Sequence, residues 1–111
     1  MKLPVNSIIA PEKRTQYLLV PQRRSDKSGW LAHAGYFADN WRILERDLRT
    51  QILVLDAQPL EGTIYGQMYE ITGHLKGPNG QLLSVRTIWM TETATGVTEF
   101  ITLYPARRSK A

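Results

Sequence analysis

The residue whose type and place most invite a chemical role is Arg86. It sits inside QLLSVRTIWMTE, residues 81–92, a run whose β-branched and aromatic content predicts a strand. A guanidinium in the middle of a strand has two readings. In the structural one, its stem lies along apolar neighbours and its head pairs with Glu70 or Glu99. In the functional one, it is a fixed cation with five donors, shaped to grip phosphate or carboxylate bidentately. The residues alone favour the first. Thr87 follows directly, and Thr102 and Tyr104 in the last predicted strand add further hydroxyls. His33 and His74 are the two histidines, and neither lies in an HxH, HxxH or HExxH spacing, so no metal ligands are predicted. No cofactor motif occurs: there is no GxGxxG and no P-loop. Ser84, Thr87 and Thr102 lack the neighbours of a hydrolase triad.

The elements that must position these side chains are legible in the pattern. Three strand-like runs, from Gly66 to Pro105, are separated by Gly77-Pro78-Asn79-Gly80 and Thr93-Ala94-Thr95-Gly96, the signature of an antiparallel meander. Alternation sends Leu83, Val85, Thr87 and Trp89 to one face and Leu82, Ser84, Arg86, Ile88 and Met90 to the other. In the last strand, Val97, Glu99, Ile101 and Leu103 oppose Thr98, Phe100, Thr102 and Tyr104. The first set of each strand suits a helix-covered core. The second sets put Arg86, Thr102 and Tyr104 on the more open face, subject to a register that a four-residue connection leaves free.

Upstream, Leu3 to Ile9 is an extended lead-in, and Pro11 to about Leu19 predicts a helix stopped by Pro21. An exposed loop follows over residues 21–29, then a short helix from Ser28 to Ala34 capped by Gly35. Asp39 is the expected N-cap of the longest helix, about Asn40 to Leu53 or Leu55. There Trp41, Leu44, Leu48, Ile52 and Leu55 form one apolar stripe, and Glu45 and Arg49 stand as an i,i+4 pair. Asp56 to Gly62 is expected to be a connection, with a short edge strand near Thr63-Ile64-Tyr65. Trp30, Trp41 and Trp89 suit a core better than base-stacking platforms. The expected fold is α+β: N-terminal helices packed on one face of a three- or four-stranded antiparallel meander sheet.

The chain has 111 residues, enough for one domain spanning 1–105, followed by a basic tail over 106–111 expected to be disordered. It carries no cysteine, which excludes disulfides and thiolate sites. No apolar run approaches the ~18 residues of a membrane span, and MKLPVNSII lacks the unbroken apolar stretch of a signal peptide, so a cytoplasmic protein with no membrane partner is expected. The net charge of +4 is unevenly spread. Residues 1–50 carry nine basic and five acidic side chains, whereas residues 51–105 carry two and five. A basic half allows attraction to polyanions, although a solvated surface is the favoured explanation.

Several stretches occur together in order: LPVNSIIAPEKRTQYLL, Lys27 eight residues before Gly35, GYFADNW, GPNG, SVRTIW and FITLYP. This set resembles a bacterial domain family of unknown function, found as small stand-alone proteins and as C-terminal domains of polymorphic toxins and phage-head fusions. The resemblance covers about Leu3 to Pro105. It implies an arrangement similar to the barnase/EndoU/colicin E5/RelE-type ribonucleases. Lys27, Arg86 and Thr102 are then the candidate catalytic residues, with Arg24, His33, Thr87 and Tyr104 as candidate binding residues. Metal-free RNA cleavage uses the substrate's 2′-hydroxyl as nucleophile. On this implication Arg86 stabilises the developing charge, Lys27 (or His33) exchanges protons, and Thr102 and Tyr104 orient phosphate. The family usually reads Lys-Ala-x-Phe-Phe where this chain has Lys27-Ser28-Gly29-Trp30-Leu31, and Gly29 weakens the helix start. Expected partners are RNA, or a small neutralising or scaffold protein. The alternative is a non-catalytic interaction module or an inactive descendant of the toxin fold.

Overall fold

The computed structural model describes residues 1–9 and 27–106. The helix expected over 11–19, the candidate Arg24 and the tail beyond residue 106 lie outside the described residues. Within them the order is α1 (Ser28–Ala32), a 3-10 turn (Ala38–Asn40), α2 (Trp41–Asp47) running into a π turn (Leu48–Ile52), then β1 (Gln58–Gly62), β2 (Gly66–Lys76), β3 (Leu82–Glu92) and β4 (Thr98–Pro105). The four strands form one antiparallel sheet in the order β1-β2-β3-β4, with helices on one face. This is the α+β architecture expected, with the larger of the two strand counts.

The apolar stripe works as its spacing dictates. Leu44, Leu48 and Ile52 are fully buried against the sheet, and Trp41 and Leu55 pack at its border. The π turn, closed by the Leu53 N–H on the Leu48 carbonyl at 2.9 Å, widens the last turn so that Ile52 and Leu53 both reach the core. On the sheet side, Leu83, Val85, Thr87 and Trp89 all face this core, and Trp89 meets Phe100 edge-on with ring centres 5.4 Å apart. Two glycines make room for the helices. A Cβ on Gly73 would lie 2.6 Å from Leu55 Cδ1, and one on Gly77 would overlap the Ala34 carbonyl. The Gly77–Gly80 turn is tied to the end of α1 through Asn79, whose side chain donates to the His33 carbonyl at 2.8 Å and whose N–H reaches Ala34 at 3.3 Å.

Four local expectations are corrected. The helix cap is not Asp39: Asn40 Oδ1 accepts the Phe37 N–H at 2.7 Å while its amide donates to Gly35 at 3.0 Å, closing the turn from within. Arg49 does not pair with Glu45; its guanidinium donates to the Val5 and Ser7 carbonyls at 3.0 Å each, holding the N-terminal segment against the helix. The edge strand is Gln58–Gly62 and not residues 63–65, which form the turn into β2. Pro59 is tolerated there because an edge strand leaves half its N–H groups unpaired in the sheet. Finally, β4 carries a bulge. Trp89 pairs with Phe100 but Ile88 pairs with Thr102, leaving Ile101 unmatched. Side-chain alternation therefore inverts across Ile101, so Thr98 and Phe100 are buried in the core together with Leu103, while Glu99 turns to the other face.

Candidate functional site

The bulge and the ladder register decide what shares the face away from the helices. Arg86 lies opposite Thr72 on β2 and Tyr104 on β4, and Ile88 lies opposite Glu70 and Thr102. Paired residues project from the same side, so these two rows form one patch. Without the extra residue at Ile101, Phe100 and Thr102 would share a face, and the core could not hold Phe100 while Thr102 stood beside Arg86.

Lys27 enters this patch from the N-cap position of α1. The helix begins despite Gly29, with the Leu31 N–H on the Lys27 carbonyl at 2.9 Å, and no side chain caps it. The lysine stem is thus free to reach β4. Its ammonium donates to Thr102 Oγ1 at 3.3 Å and stands 4.2 Å from the centre of the Tyr104 ring. The Arg86 guanidinium carbon is 5.9 Å from the same ring. Arg86 Nε donates to Glu70 Oε2, one of the two carboxylates, Glu70 or Glu99, expected as its partner. Its side chain remains 45% exposed and that of Glu70 22%. Burial lowers the Lys27 pKa from its ordinary value, because the low-dielectric surroundings disfavour the ammonium. Lys27, Arg86, Thr102, Tyr104 and Glu70 therefore make one half-open cluster. It contains two cations, one carboxylate and two hydroxyls, the groups needed to hold an anion and move a proton.

Two sequence candidates lie elsewhere. Thr87 is on the opposite face, fully buried, donating to the Ile71 carbonyl at 2.8 Å and accepting from Trp89 Nε1 at 2.8 Å. It cannot contact a ligand at Arg86; it satisfies the buried indole. His33 is exposed at the end of α1, where its carbonyl takes the Asn79 bond, and its ring meets none of the cluster. Two residues that sequence reasoning passed over stand on the Arg86 face. Glu70 counted only as an ion-pair partner, and His74, opposite Ser84, lies one row beyond Arg86. Alternation along β2 puts Glu70, Thr72 and His74 on one side, but only the register with β3 says that this side is the one bearing Arg86.

Tyr36 donates to Asp47 Oδ2 at 2.7 Å in the interior, and burial, followed by that carboxylate, pushes its phenol well above its ordinary pKa. An apolar groove of about 390 Å³ lined by Val5, Arg49, Thr50, Leu53 and Val54 lies on the helix side, with its arginine already committed to backbone. Among the described residues, no three His, Cys, Asp or Glu side chains gather as metal ligands, and no helix is long and apolar enough to cross a membrane.

Residues 3–107 match the family described as Domain of unknown function (DUF6883). The chain belongs to the DUF6883 family. No curated protein sequence matches it. Among solved structures, this DUF6883 domain resembles a chain of a contact-dependent growth inhibition toxin–immunity protein complex from Klebsiella pneumoniae 342. The TM-score is 0.57 at 16% identity, over 93% of the DUF6883 chain and 96% of the other. At that identity the likeness is one of fold.

Proposed function

We propose that this DUF6883 domain is a toxin-related ribonuclease that cleaves RNA without a metal, at the cluster of Lys27, Arg86, Thr102 and Tyr104. The observation that carries this reading is the convergence on Tyr104 of two cations from distant parts of the chain, 4.2 Å and 5.9 Å from its ring. Phosphodiester transfer to a 2′-hydroxyl passes through a phosphorane whose equatorial oxygens carry extra negative charge. A guanidinium fixed on a strand is arranged for that charge before the reaction begins. Lys27 then protonates the departing 5′-oxygen, a role favoured by its lowered pKa, since a weaker hold on the proton makes a better acid. Thr102 orients Lys27 through the bond already present. Tyr104 offers a ring for a base to stack on and a hydroxyl for phosphate.

The direct experiment is incubation of the purified protein with total bacterial RNA in the presence of a chelator, beside Arg86→Ala. Cleavage by the wild type and its loss in the variant are expected; intact RNA with both proteins, at high protein concentration, overturns the reading. The second reading is a non-catalytic module that binds a protein partner, favoured by the fact that the fold neighbour comes from a protein–protein complex. It predicts normal growth of a bacterium overexpressing the domain and a single co-purifying protein. The ribonuclease predicts growth arrest relieved by Arg86→Ala.

A further inference from the structure

We propose that Glu70 is the group that takes the proton from the attacking 2′-hydroxyl. This assignment rests on the ribonuclease reading above. Glu70 and Thr102 flank Ile88 in one cross-strand row, and adjacent strands lie about 4.8 Å apart, so their backbones are about 10 Å apart. The Lys27 ammonium sits at Thr102. A carboxylate and an ammonium thus flank Ile88, whose own side chain is buried, with Arg86 in the adjoining row touching the carboxylate. In-line displacement asks for this arrangement, because the entering and leaving oxygens lie on opposite sides of phosphorus.

The step balances with these groups alone. The 2′-O–H proton passes to a Glu70 carboxylate oxygen as the 2′-oxygen bonds to phosphorus. The P–O5′ bond breaks, its electron pair leaves with the 5′-oxygen, and that oxygen takes a proton from Lys27 Nζ. The products are a 2′,3′-cyclic phosphate and a 5′-hydroxyl, and solvent returns the protons.

The other titratable groups on this face are less well placed. His74 on β2 pairs with Ser84, beyond Arg86 and away from the Ile88 row. Glu99 on β4 lies opposite Met90, on the far side of Ile88 from Arg86, and does not touch the guanidinium. Tyr104 carries both cations, and Lys27 and Arg86 supply positive charge.

The test compares wild type, Glu70→Gln, Glu70→Asp and Glu99→Gln on a labelled single-stranded RNA of mixed sequence and on total bacterial RNA, across pH. Thermal unfolding verifies that each variant folds. Glu70→Gln is expected to slow cleavage by about 10²–10⁴-fold and to abolish the acid-side limb of the pH–rate profile. Glu70→Asp is expected to keep that limb at a reduced rate, and Glu99→Gln to behave as wild type. Glu70→Gln cleaving within about threefold of wild type overturns the assignment, as does a slow variant that retains the acid limb, since Glu70 then only holds Arg86 in place. Both results leave the ribonuclease reading standing. If the wild type leaves both RNAs intact, that reading fails and takes this assignment with it.

Discussion

At the scale of single residues, the cluster turns on how differently its two cations are held. Arg86 is fixed by a strand and by Glu70. Lys27 reaches the site on a flexible stem and has a lowered pKa, so its charge is the one that pH can remove. An acid works only while protonated. On its alkaline side, cleavage should therefore hold up to the folded Lys27 pKa and fall as pH rises through it, with the decline beginning below the ordinary 10.5. The pH profile of kcat/KM checks this, and Lys27→Arg should be slow with no such decline. Thr87 belongs to a separate account. Thr87→Val leaves the Trp89 indole N–H without its acceptor in the core, so a loss of about 1–3 kcal/mol in urea unfolding is expected, with no change on the Arg86 face. Both hydroxyl and guanidinium were visible in VRT as neighbours; that adjacent strand residues face opposite ways is what separates their fates.

At the scale of elements, the sheet is a carrier whose faces are set by one bulge and whose docking is set by small residues. The meander, its two turns and the core set of β3 were legible from alternation and from GPNG, because hairpin physics is local. The inversion at Ile101 was not. Nothing in TEFITLYP marks an extra residue, and its cause is that Phe100 and Leu103 must both enter a core that strict alternation would deny to one of them. Helix docking allows a sharper comparison. A methyl on Gly77 meets the rigid Ala34 backbone, whereas one on Gly73 meets the movable end of the Leu55 side chain. Gly77→Ala should therefore cost about 1–3 kcal/mol, and Gly73→Ala distinctly less, as shifts in the urea midpoint at constant m-value.

At the scale of the whole molecule, charge and topology point in different directions. Residues 51–105 carry more acid than base, yet the cluster they build receives Lys27 from the basic half. If phosphate contacts come from Lys27 and Arg86 alone, RNA affinity should fall with salt on a log–log slope of about −1.4. A slope nearer −4, measured with the wild type on a 2′-deoxy strand that offers no attacking hydroxyl, would instead assign binding to the wider basic surface. The linear pattern determined the α+β class, the three strand runs between Gly66 and Pro105, their turns and the apolar stripe that begins in α2, because these follow from periodicity and from the conformational limits of glycine and proline. It also held Lys27, Arg86, Thr102 and Tyr104 as separate polar positions. Strand alternation already turned Thr87 away from Arg86; the meeting of the four, the inclusion of Glu70 and the exclusion of His33 were decided by tertiary structure. Contacts between residues 75 positions apart depend on strand register, a bulge and the path into α1, and no local rule specifies how those three combine.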